Sequence, residues 1–369
     1  MTEFFWRIAM EGDHASLATA NKYGRGNARG IATGNIAPFR RDGAVDETFS
    51  YIDHALLVAK ATESAGFTGG LLPSFPSTED PWAYASALLA GTDTYRFMVA
   101  YQPGFLHPLE VARASATYQQ LSGGRLVFNV ITGGGGPAQL WWGDRVAHDD
   151  RYARTKEFLD IIKGVWSGDP FSYDGRFFTT RDAALPAQLQ GAAFPELYFS
   201  GSSDAAIDAA GAHADFYLSW LEPRAALAEK FEKVRERSAL RGRTPKFALR
   251  IEVLARPTPE LAWAAVERAW QHPLGGRADA KGDSVGASRQ AGIVPTSGDW
   301  RDLQIEPNVW AGFNTLRAGP ALGLVGSYEQ VAERLSELVD LGVDSFILAS
   351  TPHLEEAYRV GENVLPLVG

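Results

Sequence analysis

The stretch RLVFNVITGGGG (125–136) decides how the rest of the chain is read. An almost uninterrupted apolar run, rich in β-branched residues, passes directly into consecutive glycines. A strand buried on both faces ends this way where backbone amides approach a flat or anionic ligand with no Cβ in between, although a plain tight turn has the same composition. Outward from it lie seven further runs of the same kind: FFWRIAM (4–10), GGLLPS (69–74), RFMVAYQ (96–102), ELYFSG (196–201), FYLSW (216–220), KFALRIEVLAR (246–256) and SFILAS (345–350). Helix-length amphipathic segments separate them, with charged faces predicted to be exposed, for example Glu229, Lys230, Glu232, Lys233 and Arg237. Strand and helix in alternation predict a parallel sheet, and eight such strands predict an α/β fold closed as a (β/α)8 TIM barrel. The 369 residues are read as one domain, 1–369.

Three segments are too long for ordinary connections and are read as insertions: 11–48, 168–195 and about 272–328. The first places Gly24, Gly26, Gly30, Gly34 and Gly43 among Arg25, Arg29, Arg40 and Arg41, and the third contains Gly275, Gly276, Gly282, Gly286 and Gly292. Both read either as mobile lids or as surface loops without a catalytic role. The middle one contains FSYDGRFFTTRD (171–182), whose Asp-Gly between aromatic runs predicts a β-hairpin.

Composition removes several classes of function. A net charge of −9 and a pI near 5.4 leave no basic stripe for nucleic acid. With no cysteine there is no disulfide, thiolate zinc site or cysteine nucleophile. His14, His54, His107, His148, His213, His272 and His353 are scattered without HExxH spacing, so no metal is expected. GxGxxG, the P-loop pattern and the GxSxG elbow are all absent. No apolar run reaches the roughly 20 residues of a membrane span. The opening MTEFFWRIAMEGD lacks signal-peptide features, which leads to an expected cytoplasmic location.

In YFSGSSDAA (198–206), a strand end with two hydroxyls and a glycine precedes a helix starting near Asp204. The free N–H groups and positive dipole end of a helix N-terminus suit a phosphate, so Ser202 and Ser203 are candidate phosphate ligands; alternatively, one of them is a simple N-cap.

NVITGG (129–134), HDDRY (148–152), YFSGSSDAA, YLSW and EP (217–223), NVWAG (308–312), LVGSYEQVAERL (324–335) and PHLEEAYR (352–359) occur in the order found in another group of enzymes. With these motifs the chain resembles the FMNH2-dependent alkanesulfonate monooxygenases of the bacterial-luciferase-like superfamily. The resemblance implies a barrel with insertions, assembled as a homodimer or homotetramer. It also implies FMN used as FMNH2, O2 as co-substrate, and a separate NAD(P)H-dependent flavin reductase. Ser202, Ser203 and Tyr152 would hold the FMN phosphate, and Asn129, Thr132 and His148 would lie near the ring and ribityl chain. Trp220, Arg250 and Arg317 would line the reacting face. Two of these positions have ordinary alternatives, Trp220 as core and His148 as a structural hydrogen bonder at a helix start.

The departures from that family concern charge. Glu11 and Glu252 stand where the family carries histidines, Thr351 replaces a tyrosine and Thr78 a cysteine. Residues 250 and 252 share one face of a strand, so Glu252 is expected to pair with Arg250. Glu11 would add negative potential at the same mouth, unless both carboxylates are protonated or turned outward. Beside unpaired buried carboxylates, a permanently anionic sulfonate would be disfavoured by several kcal/mol. The expected substrate is therefore a small neutral, cationic or N-heteroaromatic molecule, with Glu11 or Glu252 as base or anchor. The alternatives are an alkanesulfonate monooxygenase, a deazaflavin-dependent dehydrogenase and a non-enzymatic flavin-binding protein.

Overall fold

Every run read as a buried strand forms one, because each supplies four or more residues that tolerate burial on both faces and ends at a turn-forming group. The computed structural model describes residues 1–8, 51–74, 79–271, 284–316 and 319–369. The first half runs β1 (Glu3–Arg7), α1 (Tyr51–Ser64), β2 (Gly69–Leu72), α2 (Pro81–Leu89), β3 (Arg96–Tyr101), α3 (Pro108–Ser122), β4 (Leu126–Val130), α4 (Gly136–Trp141) and α5 (His148–Trp166). A hairpin of β5 (Phe171–Asp174) and β6 (Thr179–Ala183) follows, then β7 (Glu196–Ser200), α6 (Asp204–His213), β8 (Phe216–Trp220), α7 (Arg224–Ala239), β9 (Lys246–Arg256) and α8 (Pro259–Trp270). The chain continues with α9 (Val285–Ile293), β10 (Gln304–Glu306), β11 (Val309–Trp310), α10 (Phe313–Leu316), β12 (Gly323–Ser327), α11 (Tyr328–Asp340), β13 (Val343–Ala349) and α12 (His353–Asn363).

The parallel ladder β1–β2–β3–β4–β7–β8–β9–β13 returns from β13 to β1, which closes the barrel. Helices cover its outside, and the larger apolar core lies between them and the strands. A smaller core fills the interior, including Phe5, Met98, Val127, Phe216 and Ile347. Polar groups close its amino-terminal end: Arg96 bonds Glu3 at 2.9 Å and also Glu196, and the Tyr198 hydroxyl lies 2.9 Å from Glu3 and 3.0 Å from Ser345. The opposite end, where the carboxyl ends of the strands emerge, remains for ligands.

The insertions differ from one another. Residues 11–48 lie outside the described residues, as do 272–283. The middle insertion is the predicted antiparallel hairpin, closed by a four-residue connection from Gly175 to Phe178. The described part of the third is packed structure where a mobile lid was one expectation. β12 runs parallel to the upper half of β9, beyond the end of β8, and the hairpin β10–β11 continues from it. Gly323 is needed there, since a Cβ would sit 2.4 Å from the Glu252 carbonyl oxygen. One surface expectation fails: Lys230 on α7 is buried, because it reaches inward to Glu222 and Ser219.

Candidate functional site at the carboxyl ends of the strands

β4, β7, β8 and β9 are neighbours in the barrel, so their ends bring residues distant in sequence to one half of the mouth. Asn129 and Thr132 are both buried at the end of β4. Gly133 follows with φ +91°, and a Cβ there would lie 2.3 Å from Gln139 Oε1, so glycine satisfies both backbone and space. Gln139 in turn donates to Asp144, which accepts both Arg154 Nη1 at 3.0 Å and Arg154 Nη2 at 2.7 Å. Burial opposes ionisation of Asp144, yet the hydrogen bonds from Arg154, Val146 and Gln139 outweigh it and hold the carboxyl below its usual range. This ties the glycine-rich turn to α5.

At the end of β7, Gly201 brings the strand close to α5: a Cβ on it would stand 2.8 Å from the Tyr152 hydroxyl. The Tyr217 hydroxyl donates to the Gly201 carbonyl at 2.6 Å. Ser203 is the N-cap of α6, accepting from Ala206 N at 3.2 Å, so the simple cap reading of that residue holds. Ser202 precedes it. His148 opens α5, contacts Asp149 through Nδ1 at 2.7 Å, and meets the Tyr152 ring edge-on at 5.2 Å. Ser202, Ser203, Tyr152 and His148 thus gather around one strand-to-helix turn.

On the neighbouring strands, Trp220 and Arg250 are register partners. Arg250 Nη2 donates to Glu252 Oε1 at 2.6 Å and Nη1 to the Ile251 carbonyl at 3.0 Å. Arg250 is 7% and Glu252 0% exposed, so the predicted pair is an interior one. Glu11, Thr78 and Arg317 lie outside the described residues.

Sequence reading missed the wall that α9 supplies. Arg289 on α9 bonds Glu222 at 2.8 and 3.2 Å. Gln290 donates to the Leu221 carbonyl at 2.6 Å and accepts from Ala321 N at 2.9 Å. Burial disfavours the Glu222 carboxylate, but hydrogen bonds from Arg289 and Lys230 prevail and keep its pKa below the usual range. Held in this way, α9 places Gly286 so that a Cβ would be 3.8 Å from Ser202 Oγ and 3.9 Å from Ser284 Oγ. Glu222 lies within a quoted motif, but nothing in the sequence links it to Lys230 and Arg289. Gln102 was also missed, although the strand period that puts Met98 and Ala100 inward extends to it.

Among the described residues, no group of three or more His, Asp or Glu side chains is placed to hold a metal, and no helix is long and apolar enough to cross a membrane. The mouth and its polar half-ring define an α/β-barrel enzyme. Residues 32–345 match the luciferase-like monooxygenase family, and the chain belongs to it, which makes it a flavin-dependent monooxygenase. Solved structures of the same fold include riboflavin lyase RcaE with a modified FMN and the substrate riboflavin, 19% identical with a TM-score of 0.73 over 100% of this chain and 91% of that one. EDTA monooxygenase EmoA from Chelativorans sp. BNC1 is 18% identical, with a TM-score of 0.71 over 100% and 93%. Long-chain alkane monooxygenase LadA is 19% identical, with a TM-score of 0.69 over 99% and 90%.

Proposed function

We propose that this chain is the oxygenase of a two-component system, taking FMNH2 from a separate NAD(P)H-dependent flavin reductase and using O2 to oxidise a small neutral, cationic or N-heteroaromatic molecule. The observation that carries the substrate class is the 2.6 Å pair between Arg250 and Glu252. A guanidinium already compensated by a buried carboxylate offers little net attraction to a sulfonate. The neutral pair leaves no net positive charge there to offset the desolvation of an anion. The proposed assembly is a homodimer or homotetramer, as the family resemblance implies, and the proposed location is the cytoplasm.

The residues present fit FMN. Asn129 Oδ1 is a buried acceptor that receives no hydrogen bond, ready for a ligand donor. A Cβ on Gly286 would stand 3.8 Å from the Ser202 hydroxyl, so the glycine brings α9 to within contact distance of that serine. Ser202, Ser203 and Tyr152 would hold the phosphate, with Asn129 and Thr132 beside the ring and ribityl chain and His148 flanking Tyr152. When bound, reduced FMN supplies the electrons for oxygen activation. Arg250, fixed by its bonds to the Ile251 carbonyl and Glu252, keeps the Glu252 carboxylate in place at the reacting face. Glu252 anchors a cationic or N–H-bearing substrate, and Trp220 beside Arg250 forms an apolar wall that limits water.

The test is a reaction of the protein with an FMN reductase, NADH and O2, offered a panel of sulfonates and a panel of neutral and cationic heterocycles, with substrate loss followed by mass spectrometry. Oxygen-dependent loss confined to the second panel is the expected outcome. Loss confined to alkanesulfonates would return the protein to the sulfonate monooxygenases, and substrate turnover without oxygen would indicate hydride transfer.

A further inference from the structure

Two buried amide acceptors on the inner face of the barrel mouth receive no hydrogen bond: Gln102 Oε1, just past β3, and Asn129 Oδ1 in β4. Gln102 is 7% exposed and Asn129 5%. In the ladder Asn129 sits beside Ala100, and Gln102 lies two residues further on the same face as Ala100. Ala100, Met98 and Val127 all belong to the interior cluster, which fixes that face as the inner one. Given a strand spacing of about 4.8 Å and a rise of about 3.3 Å per residue, their Cα atoms are roughly 8 Å apart. Gln102 Nε2 points to the Ser74 carbonyl at 3.5 Å, which orients the amide and turns Oε1 toward Gly133, where a Cβ would approach it to 3.0 Å. Flipping the amide would set oxygen against oxygen at Ser74.

A buried acceptor left without a donor costs about as much as a lost hydrogen bond, and two on adjacent strands at one mouth call for a ligand that brings donors. On reduction an isoalloxazine gains N–H at N5, where the oxidised ring presents a lone pair. An acceptor facing N5 therefore attracts the reduced ring and repels the oxidised one. We propose that Gln102, with Asn129 beside it, reads the N5–H of the reduced flavin and sets the preference of the site for FMNH2 over FMN. This inference rests on the flavin reading given above, and adds the residues that distinguish the two oxidation states.

The test measures anaerobic dissociation constants for FMNH2 and oxidised FMN with wild type, Gln102→Met, Gln102→Glu and Asn129→Leu. Gln102→Met and Asn129→Leu should each reduce the preference for FMNH2 by about fivefold or more, the size of one hydrogen bond, with most of the loss in FMNH2 affinity. Gln102→Glu, whose protonated carboxyl can donate to the Ser74 carbonyl and keep its other oxygen as the acceptor, should preserve the preference. A second measurement needs no variant: reduced 5-deaza-FMN, which carries CH2 in place of N5–H, should bind the wild type at least about fivefold more weakly than FMNH2. Equal weakening of both oxidation states in the variants, or equal wild-type affinity for reduced 5-deaza-FMN and FMNH2, would overturn the inference and leave the flavin reading standing. A wild type that binds neither FMNH2 nor FMN would overturn both.

Discussion

Arg250 and Glu252 face the same side of β9, two residues apart, with Nη2 and Oε1 separated by 2.6 Å in the barrel interior. Their distance and burial make this pair structural as well as a determinant of charge at the mouth. Removing one member of a buried ion pair costs about 3–5 kcal/mol. Glu252→Ala should therefore lower stability by roughly that amount in denaturant unfolding, whereas Glu252→Gln, which keeps a hydrogen-bonding amide, should lose clearly less. Equal stability of Glu252→Ala and wild type would mean that the pair contributes nothing to the fold.

The phosphate assignment separates FMN from riboflavin. Ser202→Ala should weaken FMN binding by the worth of a charge-assisted hydrogen bond, about 1.5–3 kcal/mol, and leave riboflavin binding nearly unchanged. Ser203→Ala should add a loss of thermal stability, because Ser203 also caps α6; N-cap replacements by alanine cost about 0.5–2 kcal/mol. Titration of both ligands against each variant checks this, and parallel losses for FMN and riboflavin would place the phosphate elsewhere.

Gly286 tests the wall made by α9. An alanine there meets only ordinary contacts, with its Cβ 3.8 Å from Ser202 Oγ, so Gly286→Ala should fold at least as well as wild type. Gly286→Leu should extend into the same space and reduce FMN affinity by about tenfold or more, equivalent to 1.4 kcal/mol. Unchanged FMN affinity in the leucine variant would show that this space is not used by the cofactor.

Acid sensitivity follows from His213, buried at the end of α6 with Nε2 3.6 Å from Asp160. Burial first, and then Lys163, Lys156, Arg243 and Arg241, lower its pKa to about 3. The folded state thus keeps His213 neutral where an unfolded histidine is protonated below about 6.5. The unfolded chain binds the extra proton between those values, so this contribution to stability is fully present above about 6.5 and declines as pH falls toward 3. Between pH 7 and 5 the loss from this group is about 2 kcal/mol. His213→Gln should unfold with a visibly smaller change between the two pH values, and an identical pH profile would remove His213 from the account.

The barrel was legible because its strands are short, apolar and separated by helix-length amphipathic segments, and all eight were readable before any geometry. The Arg250–Glu252 pair was legible too, since the two-residue strand period leaves no other common face. α9 was not, because glycines and polar residues in that segment carry no periodicity; its position depends on Arg289 reaching Glu222 and Gln290 bridging Leu221 to Ala321. Lys230 looked like part of a solvated helix face because sequence spacing cannot reveal a buried carboxylate from a neighbouring strand end. Ser203 allowed two readings, and its bond to Ala206 establishes the cap while leaving the hydroxyl proton free to serve a phosphate.

The central claim, that Glu252 neutralises Arg250 and thereby excludes anionic substrates, is tested most directly by titrating an alkanesulfonate into wild type and Glu252→Gln protein, both saturated with FMNH2 under anaerobic conditions. Removing the carboxylate charge should strengthen sulfonate binding by about tenfold or more, from little or no measurable affinity in the wild type. Tight sulfonate binding by wild type, unchanged or weakened in Glu252→Gln, would contradict the account.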